Sequence, residues 1–454
     1  MVVTMSEERD PSMPEAAAVP NSAGPTGPTG PGTTRNPATP GAYGHLHAGR
    51  RPVIMTALLG AAALAGCGAQ EASSGSPQAS SRPAPATAPP SQAGASPSEA
   101  PGSAAPSATD SSSPDPLEGW SLEEKVGQLI MVGVEADAPS PLASAAITDH
   151  HVGGLFIAGR TQAGSQAISA LVGSLTGPAS TTGDRPPLLV ATDQEGGQVQ
   201  VLSGPGFSPI PSAEQQAVLP TDQLLASART WGQELAACGV TMNLAPAADL
   251  VDVVDPASNE PIGRWGRHYG RDAASVSAQA MAFAQGMGEA GVLAVYKHFP
   301  GLGRVVENTD TTAGVTDTTT SRSGDAAVSV FASAISGGAQ VIMMSSATYT
   351  LIDASAPAVF SPTIVTDMLR GDMGFTGVIM TDDASTAVQL QQWEPGERAV
   401  RAVRAGCDLV LASADASTAA PMAQALVAAA QADPSLAARV DESARRILAL
   451  KNSQ

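Results

Sequence analysis

Eight short apolar runs recur along residues 117–454, and each is followed by a polar or Gly-rich turn and an Ala-rich helical stretch. Near-continuous runs of Val, Ile, Leu and Met are typical of strands buried on both faces, as in a parallel sheet. The predicted strands are Gln128–Val134, Gly153–Ile157, Pro187–Asp193, Met242–Asp249, Val292–Phe299, Gln340–Ser346, Gly377–Asp383 and Cys407–Ser413. Eight such units favour a single (β/α)8 TIM-type barrel over a doubly wound open sheet.

The segments between the apolar runs predict helices. Three of these helices are Gln223–Ala237, Ala273–Ala290 and Ala387–Ala405. Ser121 and Glu124 have the spacing of a capping box, which predicts the helix that opens the domain. The first apolar run is not followed by the glycine fingerprint of a dinucleotide-binding sheet, and this again favours the barrel.

The chain before the barrel divides into three segments. Residues 1–49 mix Pro, Gly, Thr and Ala without an apolar period and are predicted to be disordered. In residues 50–67, two arginines precede a short apolar run that ends in Leu-Ala-Gly-Cys, which has the parts of a secretory signal. This ending resembles the lipobox of bacterial lipoproteins, and the resemblance implies lipidation of Cys67. Residues 68–116 are almost wholly Ser, Ala, Pro, Gly and Thr and predict a disordered tether.

These segments predict export and a lipid anchor on the extracytoplasmic face of the cell membrane. The 49 residues before the signal leave two interpretations open. Either the true start codon lies further downstream, or a cytoplasmic tail precedes the signal. The tether would have an r.m.s. reach of roughly 40 Å, enough to hold a folded domain clear of the membrane.

The charge of the chain excludes several classes of partner. The sequence has 23 Lys and Arg against 42 Asp and Glu, for a net charge of −19. Nucleic acids and anionic lipid surfaces both need a basic face, so we expect membrane contact only through the lipid anchor.

The six histidines show no metal-ligand spacing, and we predict a monomer with no metal or cofactor. Cys238 and Cys407 are predicted to be buried thiols, with a disulfide as the alternative.

Polar residues follow most of the predicted strands, where the active site of a barrel is built. They are Asp193, Glu195, Asp249, Lys297, His298, Ser345, Ser346, Asp382 and Asp383. The longest turn, from Pro300 to about Ser321, follows the Lys-His pair directly, and a loop of this length indicates function. Several carboxylates at one mouth suit glycoside hydrolysis, which uses two carboxyl groups. Residue types alone also leave open Schiff-base chemistry through Lys297 and metal-assisted hydrolysis.

Five segments resemble motifs of family 3 glycoside hydrolases, in the order of that family. Leu188–Val199 contains DQEGG, Met242–Asp249 contains Asn-x-Ala-Pro, and Arg267–Gly270 (RHYG) resembles Arg-Ser-Phe-Gly. Lys297–Gly303 (KHFPGLG) is similar to KHFPGHG, and Gly377–Ala384 (GVIMTDDA) resembles GVIFSDDL. The resemblance covers essentially all of the barrel. It is strongest to the single-barrel β-N-acetylglucosaminidases that recycle bacterial cell wall.

The resemblance implies roles for individual residues. The nucleophile of the family falls on Asp382. The residues that hold the terminal sugar fall on Asp193, Arg267, Lys297 and His298. The position of Asp382, at the end of an apolar strand in the predicted mouth, agrees with its implied role.

The chain departs from the family pattern at two places. Gln198 stands where the DQEGG signature usually continues with Arg. In the loop after KHFPGLG, Asp310 stands where the family has its acid/base His, and Asn308 where the supporting Asp would be. Three interpretations are open: Asp310 is the acid/base, Glu307 swings in to replace it, or the loop is inert and Asp310 only makes an Asx turn.

The sequence therefore predicts a retaining exo-glycosidase that removes terminal β-linked N-acetylglucosamine from cell-wall saccharides such as muropeptide fragments. The acetamido preference is implied by resemblance alone. A β-glucosidase or β-xylosidase of the same family is one alternative, and a catalytically impaired sugar-binding lipoprotein is another. If Asp310 is the acid/base, its negative charge would repel phosphate, so we expect hydrolysis with little phosphorolysis.

Overall fold

The computed structural model describes residues 115–138, 140–180 and 186–454. The predicted tail 1–49, the signal peptide 50–67 with its lipidation site Cys67, and nearly all of the linker 68–116 lie outside the described residues. The description that follows concerns the barrel.

Eight parallel strands close into a barrel, in which each strand pairs with the next one along the chain and the first pairs with the last. The strands are β1 Ile130–Glu135, β2 Gly154–Ala158, β3 Leu189–Thr192, β4 Met242–Asn243, β5 Leu293–Phe299, β6 Val341–Met344, β7 Val378–Asp383 and β8 Leu409–Ala412. The predicted (β/α)8 barrel is confirmed. Six of the strands lie within the predicted apolar runs, and β1 and β2 each extend one residue beyond them.

Most of the predicted strands are longer than the observed ones, and two of the differences are informative. β4 extends over Met242–Asn243, and residues 244–249 continue as buried irregular chain with one isolated bridge between Ala247 and Lys297. Gln128 belongs to the first helix rather than to β1. Its side chain bridges the end of the chain and the start of β2, accepting from Lys451 Nζ at 2.8 Å and donating to the His151 carbonyl at 3.1 Å. Burial alone, which the apolar pattern reports, does not distinguish such positions from strands.

Helices cover the outside of the barrel. They are α1 Leu122–Gln128, α2 Pro141–His150, α3 Ser165–Ser180, α4 Ala213–Gln216, α5 Thr221–Ala237, α6 Ala273–Glu289, α7 Ala326–Ser336, α8 Pro395–Ala405, α9 Ala419–Ala432 and α10 Pro434–Lys451, with a π-helical segment at Thr363–Asp372. The capping box at Ser121 and Glu124 is present, so the opening helix is confirmed. Across the described part of the chain, every helix is too short or too polar to span a bilayer.

The helix predicted over Ala387–Ala405 begins eight residues later than expected, at Pro395. Proline favours the first turn of a helix and disfavours helical conformation in the residue before it, so the helix starts there. The preceding residues form a loop with a short 3₁₀ turn at Val388–Leu390. The backbone N–H groups of Val388 and Gln389 bond the loop after β5 instead of a helix of their own.

The two cysteines in the described residues are both free and buried, so the thiol prediction is confirmed and the disulfide alternative is wrong. Burial raises the pKa of Cys238 to about 11 and also raises the pKa of Cys407. Both thiols are therefore protonated at neutral pH and serve as small apolar side chains.

Candidate active site

The carboxyl ends of the strands bring the predicted site residues to one mouth. Asp193 follows β3 directly, Lys297 and His298 lie near the end of β5, and Asp382 is the second-last residue of β7. Two loops contribute the others. The loop after β4 carries Arg267, and the long loop after β5 carries Asp310.

Lys297 is the centre of a buried ionic chain. Its Nζ lies 2.7 Å from Asp193 Oδ1 and 2.7 Å from Glu195 Oε1. Glu195 in turn receives two hydrogen bonds from Arg267, from Nε at 2.9 Å and from Nη2 at 2.7 Å. All four side chains are buried, so each charge is balanced by a direct partner.

These ion pairs keep the side chains of the buried ionic chain in their charged forms. Burial disfavours the charged amine of Lys297, but Asp193 and Glu195 outweigh it and raise the pKa of Lys297 above its usual value. Burial likewise opposes ionisation of Glu195, yet Arg267 and Lys297 lower the pKa of Glu195 to about 2. A Schiff base needs a neutral amine as nucleophile. The structure therefore argues against the Schiff-base alternative that the sequence left open.

His298 is oriented by Asp249, which is fully buried. The carboxylate accepts from the ring Nδ1 at 2.7 Å and from the backbone N–H of His298 at 3.0 Å. It also accepts from the backbone N–H of Leu302 at 2.6 Å. With Nδ1 bound to Asp249, the opposite nitrogen Nε2 points toward Asp382 and lies 3.8 Å from its Oδ2.

Asp382 has the surroundings of an ionised nucleophile. Its side chain is almost buried, and Oδ1 accepts the backbone N–H of Asp383 at 2.8 Å. Burial opposes ionisation, but His298, this N–H and the charge of Lys297 favour it, and the pKa of Asp382 lies below its usual range. Asp383 has a different task. It accepts hydrogen bonds from Ser385, Thr386 and Ser413 and so fixes the turn after β7.

Asp310 lies close enough to Asp382 for the two charges to interact. Burial, together with the negative charges of Asp382 and Asp383, raises the pKa of Asp310 to about 6. Glu307 is exposed on the same loop. The Asx turn here is made by Asn308, whose Oδ1 accepts the backbone N–H of Asp310 at 3.0 Å. The turn thus fixes the backbone at Asp310 within reach of the charges of Asp382 and Asp383.

Several residues at the mouth received no role from the sequence. The sequence predicts Glu195 and Asp249 at strand ends, but their bonds to Lys297 and His298 depend on the folded chain. Gln198, which replaces the usual Arg, is exposed. Within residues 115–138, 140–180 and 186–454, no cluster of three or more His, Cys, Asp or Glu side chains is arranged to hold a metal ion.

Two carboxyl groups with opposite pKa shifts at the mouth of a barrel are the arrangement of a glycosidase. Residues 121–450 match the glycosyl hydrolase family 3 N terminal domain. This chain belongs to glycosyl hydrolase family 3. The membership accounts for the order of the five motifs and for the barrel, and it confirms the resemblance noted in the sequence.

Relatives of this family 3 glycoside hydrolase include a β-hexosaminidase of Stenotrophomonas maltophilia, 32% identical over 267 residues that span 57% of this chain and 76% of that protein. An uncharacterized secreted glycosyl hydrolase of Arthroderma benhamiae is 33% identical over 271 residues, or 59% of this chain and 75% of that protein. The crystal structure of the β-N-acetylhexosaminidase from Beutenbergia cavernae is 54% identical and covers 73% of this chain and 98% of its own, with a TM-score of 0.71.

Proposed function

We propose that this glycoside hydrolase is a retaining exo-β-N-acetylhexosaminidase that removes terminal β-linked N-acetylglucosamine. The observation that carries the proposal is the pair of carboxyl groups at the mouth. Asp382 has a pKa below its usual range, whereas Asp310 has a pKa of about 6. One group is thus ionised and the other protonated in mildly acidic solution, which is the division of labour that glycoside hydrolysis requires.

In the first step, an oxygen of Asp382 forms a bond to the anomeric carbon. The bond from that carbon to the glycosidic oxygen breaks, and the proton of Asp310 passes to the departing oxygen. The product is a glycosyl ester on Asp382, with Asp310 now ionised. His298 Nε2, held toward Asp382 by Asp249, lies beside the carboxylate whose charge is being neutralised.

In the second step, Asp310 accepts a proton from water as the water oxygen attacks the anomeric carbon. The ester bond to Asp382 breaks, and the sugar leaves with its original anomeric configuration. Asp310 is protonated again and Asp382 is again a carboxylate. Water is the only co-reactant that the two steps consume.

The buried ionic chain forms the proposed sugar-binding wall. Asp193 and Lys297 present fixed opposite charges, and hydroxyl groups of a terminal sugar can donate to the first and accept from the second. His298 offers Nε2 to the same space. The guanidinium of Arg267 donates to Glu195 and to the Pro261 carbonyl. Arg267 therefore holds Glu195, and through it Lys297, in position and also supplies positive charge.

The location and the natural substrate are also proposals. We infer that residues 50–67 direct export, that Cys67 carries a lipid, that residues 68–116 form the tether and that residues 117–454 form the catalytic domain. The secreted relative supports an extracytoplasmic site of action. The substrates outside the membrane would be cell-wall saccharides, including muropeptide fragments, and the protein would act as a monomer.

Hydrolysis by the purified protein tests this function. The substrates are an activated aryl β-N-acetylglucosaminide and a β-linked N-acetylglucosamine disaccharide, each assayed against the glucoside and xyloside equivalents. We expect cleavage of both glucosaminides, loss of both activities in Asp382→Asn, and a retained anomer by NMR. Cleavage of the aryl substrate alone would support an impaired acid, and tight sugar binding without any cleavage would support the binding-protein alternative.

A further inference from the structure

The loop that carries Asp310 is attached to the barrel at both sides. At its start, Arg304 bridges two acidic residues from neighbouring segments. Its guanidinium lies 2.7 Å from Asp252 Oδ2 and 2.9 Å from Asp325 Oδ1. The Val306 carbonyl accepts the backbone N–H of Glu260 at 2.9 Å. These contacts fix the first part of the loop but end before Asp310.

The second attachment comes from the segment that follows the nucleophile strand. The backbone N–H of Gln389 donates to the Thr309 carbonyl at 3.0 Å, and that of Val388 donates to the Asp310 carbonyl at 3.2 Å. The side chain of Gln389 then pairs with Val315. Its Oε1 accepts the Val315 N–H at 2.9 Å, and its Nε2 donates to the Val315 carbonyl at 3.1 Å.

Gln389 therefore bonds the loop on both sides of Asp310. Its side chain is only 5% exposed, and both ends of its amide are satisfied by Val315. The segment is also short, because Gln389 follows Asp382 by seven residues. The strand that supplies the nucleophile thus leads directly into the residue that holds the loop of the second carboxyl group.

We propose that Gln389 is a positioning residue for general acid/base catalysis, a role that rests on the proposed function of Asp310. By holding residues 309–315 against the turn after β7, Gln389 keeps the Asp310 carboxyl at the glycosidic oxygen and at the attacking water. It touches neither substrate nor reacting atoms. Its effect on kcat/KM should appear only where protonation of the leaving group limits the first step.

This role predicts a dependence on the leaving group. An activated aryl group departs with little protonation, so kcat/KM for the aryl substrate reports on Asp382 and on sugar binding. The sugar leaving group of a disaccharide needs the acid. Because general acid catalysis contributes about 100- to 10,000-fold, a displaced acid should reduce disaccharide kcat/KM by about 10- to 100-fold.

The test compares Gln389→Met, Gln389→Glu and a matched control in the full chain. Methionine keeps the length and apolar volume of the side chain but cannot pair with Val315. Glutamate can still accept from the Val315 N–H but cannot donate to the carbonyl when ionised. Gln128→Met is the control, since Gln128 is also 5% exposed and also accepts one hydrogen bond and donates one, at the opposite end of the barrel.

We expect disaccharide kcat/KM to fall in the order wild type, Gln389→Glu, Gln389→Met. For the activated aryl substrate, kcat/KM should stay within about threefold, because protonation contributes little to departure of that group. Gln128→Met should change thermal stability without changing the ratio of the two substrates. Equal losses on both substrates, or no loss on either, would overturn the positioning role. Failure of the wild type to cleave either substrate would instead contradict the proposed function.

Discussion

Asp249 binds both the ring and the backbone of His298: one carboxylate oxygen accepts from the ring Nδ1 at 2.7 Å and the other from the backbone N–H at 3.0 Å. Rotation of the ring would break the first bond, and displacement of the strand end would break the second. The imidazole is thereby held with Nε2 toward Asp382, at 3.8 Å from Oδ2. Asp249 thus acts on the nucleophile through the histidine.

Substitution of Asp249 by Asn should reduce catalysis while leaving the barrel folded. The amide keeps the shape but has only one acceptor oxygen, so either the ring Nδ1–H or the two backbone N–H groups lose their acceptor. Losing a hydrogen bond to a charged group costs about 1.5 to 3 kcal/mol, or roughly 10- to 100-fold in kcat/KM. Kinetics on aryl and disaccharide substrates check this, and both should fall together because the defect lies at Asp382. Asp441→Asn, which removes the charge of a half-buried partner of Lys125, serves as the control. An unchanged Asp249→Asn enzyme would exclude the orienting role.

The pKa of Asp310 predicts the alkaline side of the pH profile. The general acid must carry a proton, so kcat/KM for the disaccharide should be lost as the pH rises through about 6. Asp382 must be ionised, and since its pKa is lowered, the acidic limb should lie below the usual carboxyl range. Because the two carboxyl groups interact, the pH values of the two limbs are properties of the pair rather than of either residue alone.

The measurement is kcat/KM against pH for both substrates. An activated aryl substrate needs little protonation, so its profile should lack the alkaline limb near pH 6. If the two substrates lose activity at the same pH, a group other than the acid controls the limb.

Much of this site was predictable because the barrel imposes where chemistry occurs. Strand ends in a parallel barrel meet at one edge, so Asp193, Lys297 and Asp382 could be placed together from the ends of three apolar runs. The structure brings these residues, with Arg267 and Asp310, to one mouth. Lipidation of Cys67 falls outside the described residues and stays a prediction.

The contacts between these residues were not predictable. Lys297 and Asp193 are separated by 104 residues, and Gln389 and Val315 by 74. No local pattern reports such pairs. The same limit explains the error at Ala387, where the predicted helix begins eight residues before the observed one. Its backbone N–H groups bond the loop after β5, and this tertiary competition outweighs a helix propensity of tenths of a kcal/mol per residue.

Phosphate should be a poor acceptor for the glycosyl enzyme. After the first step Asp310 is an anion next to the position of the incoming nucleophile, and it would repel phosphate while accepting a proton from water. We expect added phosphate to speed turnover of an aryl substrate by less than about twofold relative to sulfate at equal ionic strength. The products should contain free sugar rather than a sugar 1-phosphate. A large acceleration by phosphate would contradict the role of Asp310 as an anionic base.

A second ionic cluster, at the end of the barrel away from the mouth, should contribute to stability alone. Asp408 directly precedes β8 and is fully buried, and it bonds three arginines and the backbone N–H of Ile379. The arginines are Arg370, Arg439 and Arg446. All of them converge on a single carboxylate, so its loss leaves three neighbouring guanidinium groups, of which Arg439 and Arg446 keep the carboxylate of Glu442.

Asp408→Asn should therefore destabilise the barrel strongly. Removing one partner of a buried ion pair costs about 3 to 5 kcal/mol, and the lower end applies here because the arginines are partly exposed to water. Chemical denaturation of variant and wild type measures the difference. Asp115→Asn, which breaks an exposed pair with Arg445, should leave the unfolding midpoint unchanged. At a temperature where Asp408→Asn remains folded, its kcat/KM should match the wild type, because the cluster lies at the opposite end from Asp382 and Asp310. A selective loss of activity without loss of stability would mean that Asp408 affects catalysis at the mouth.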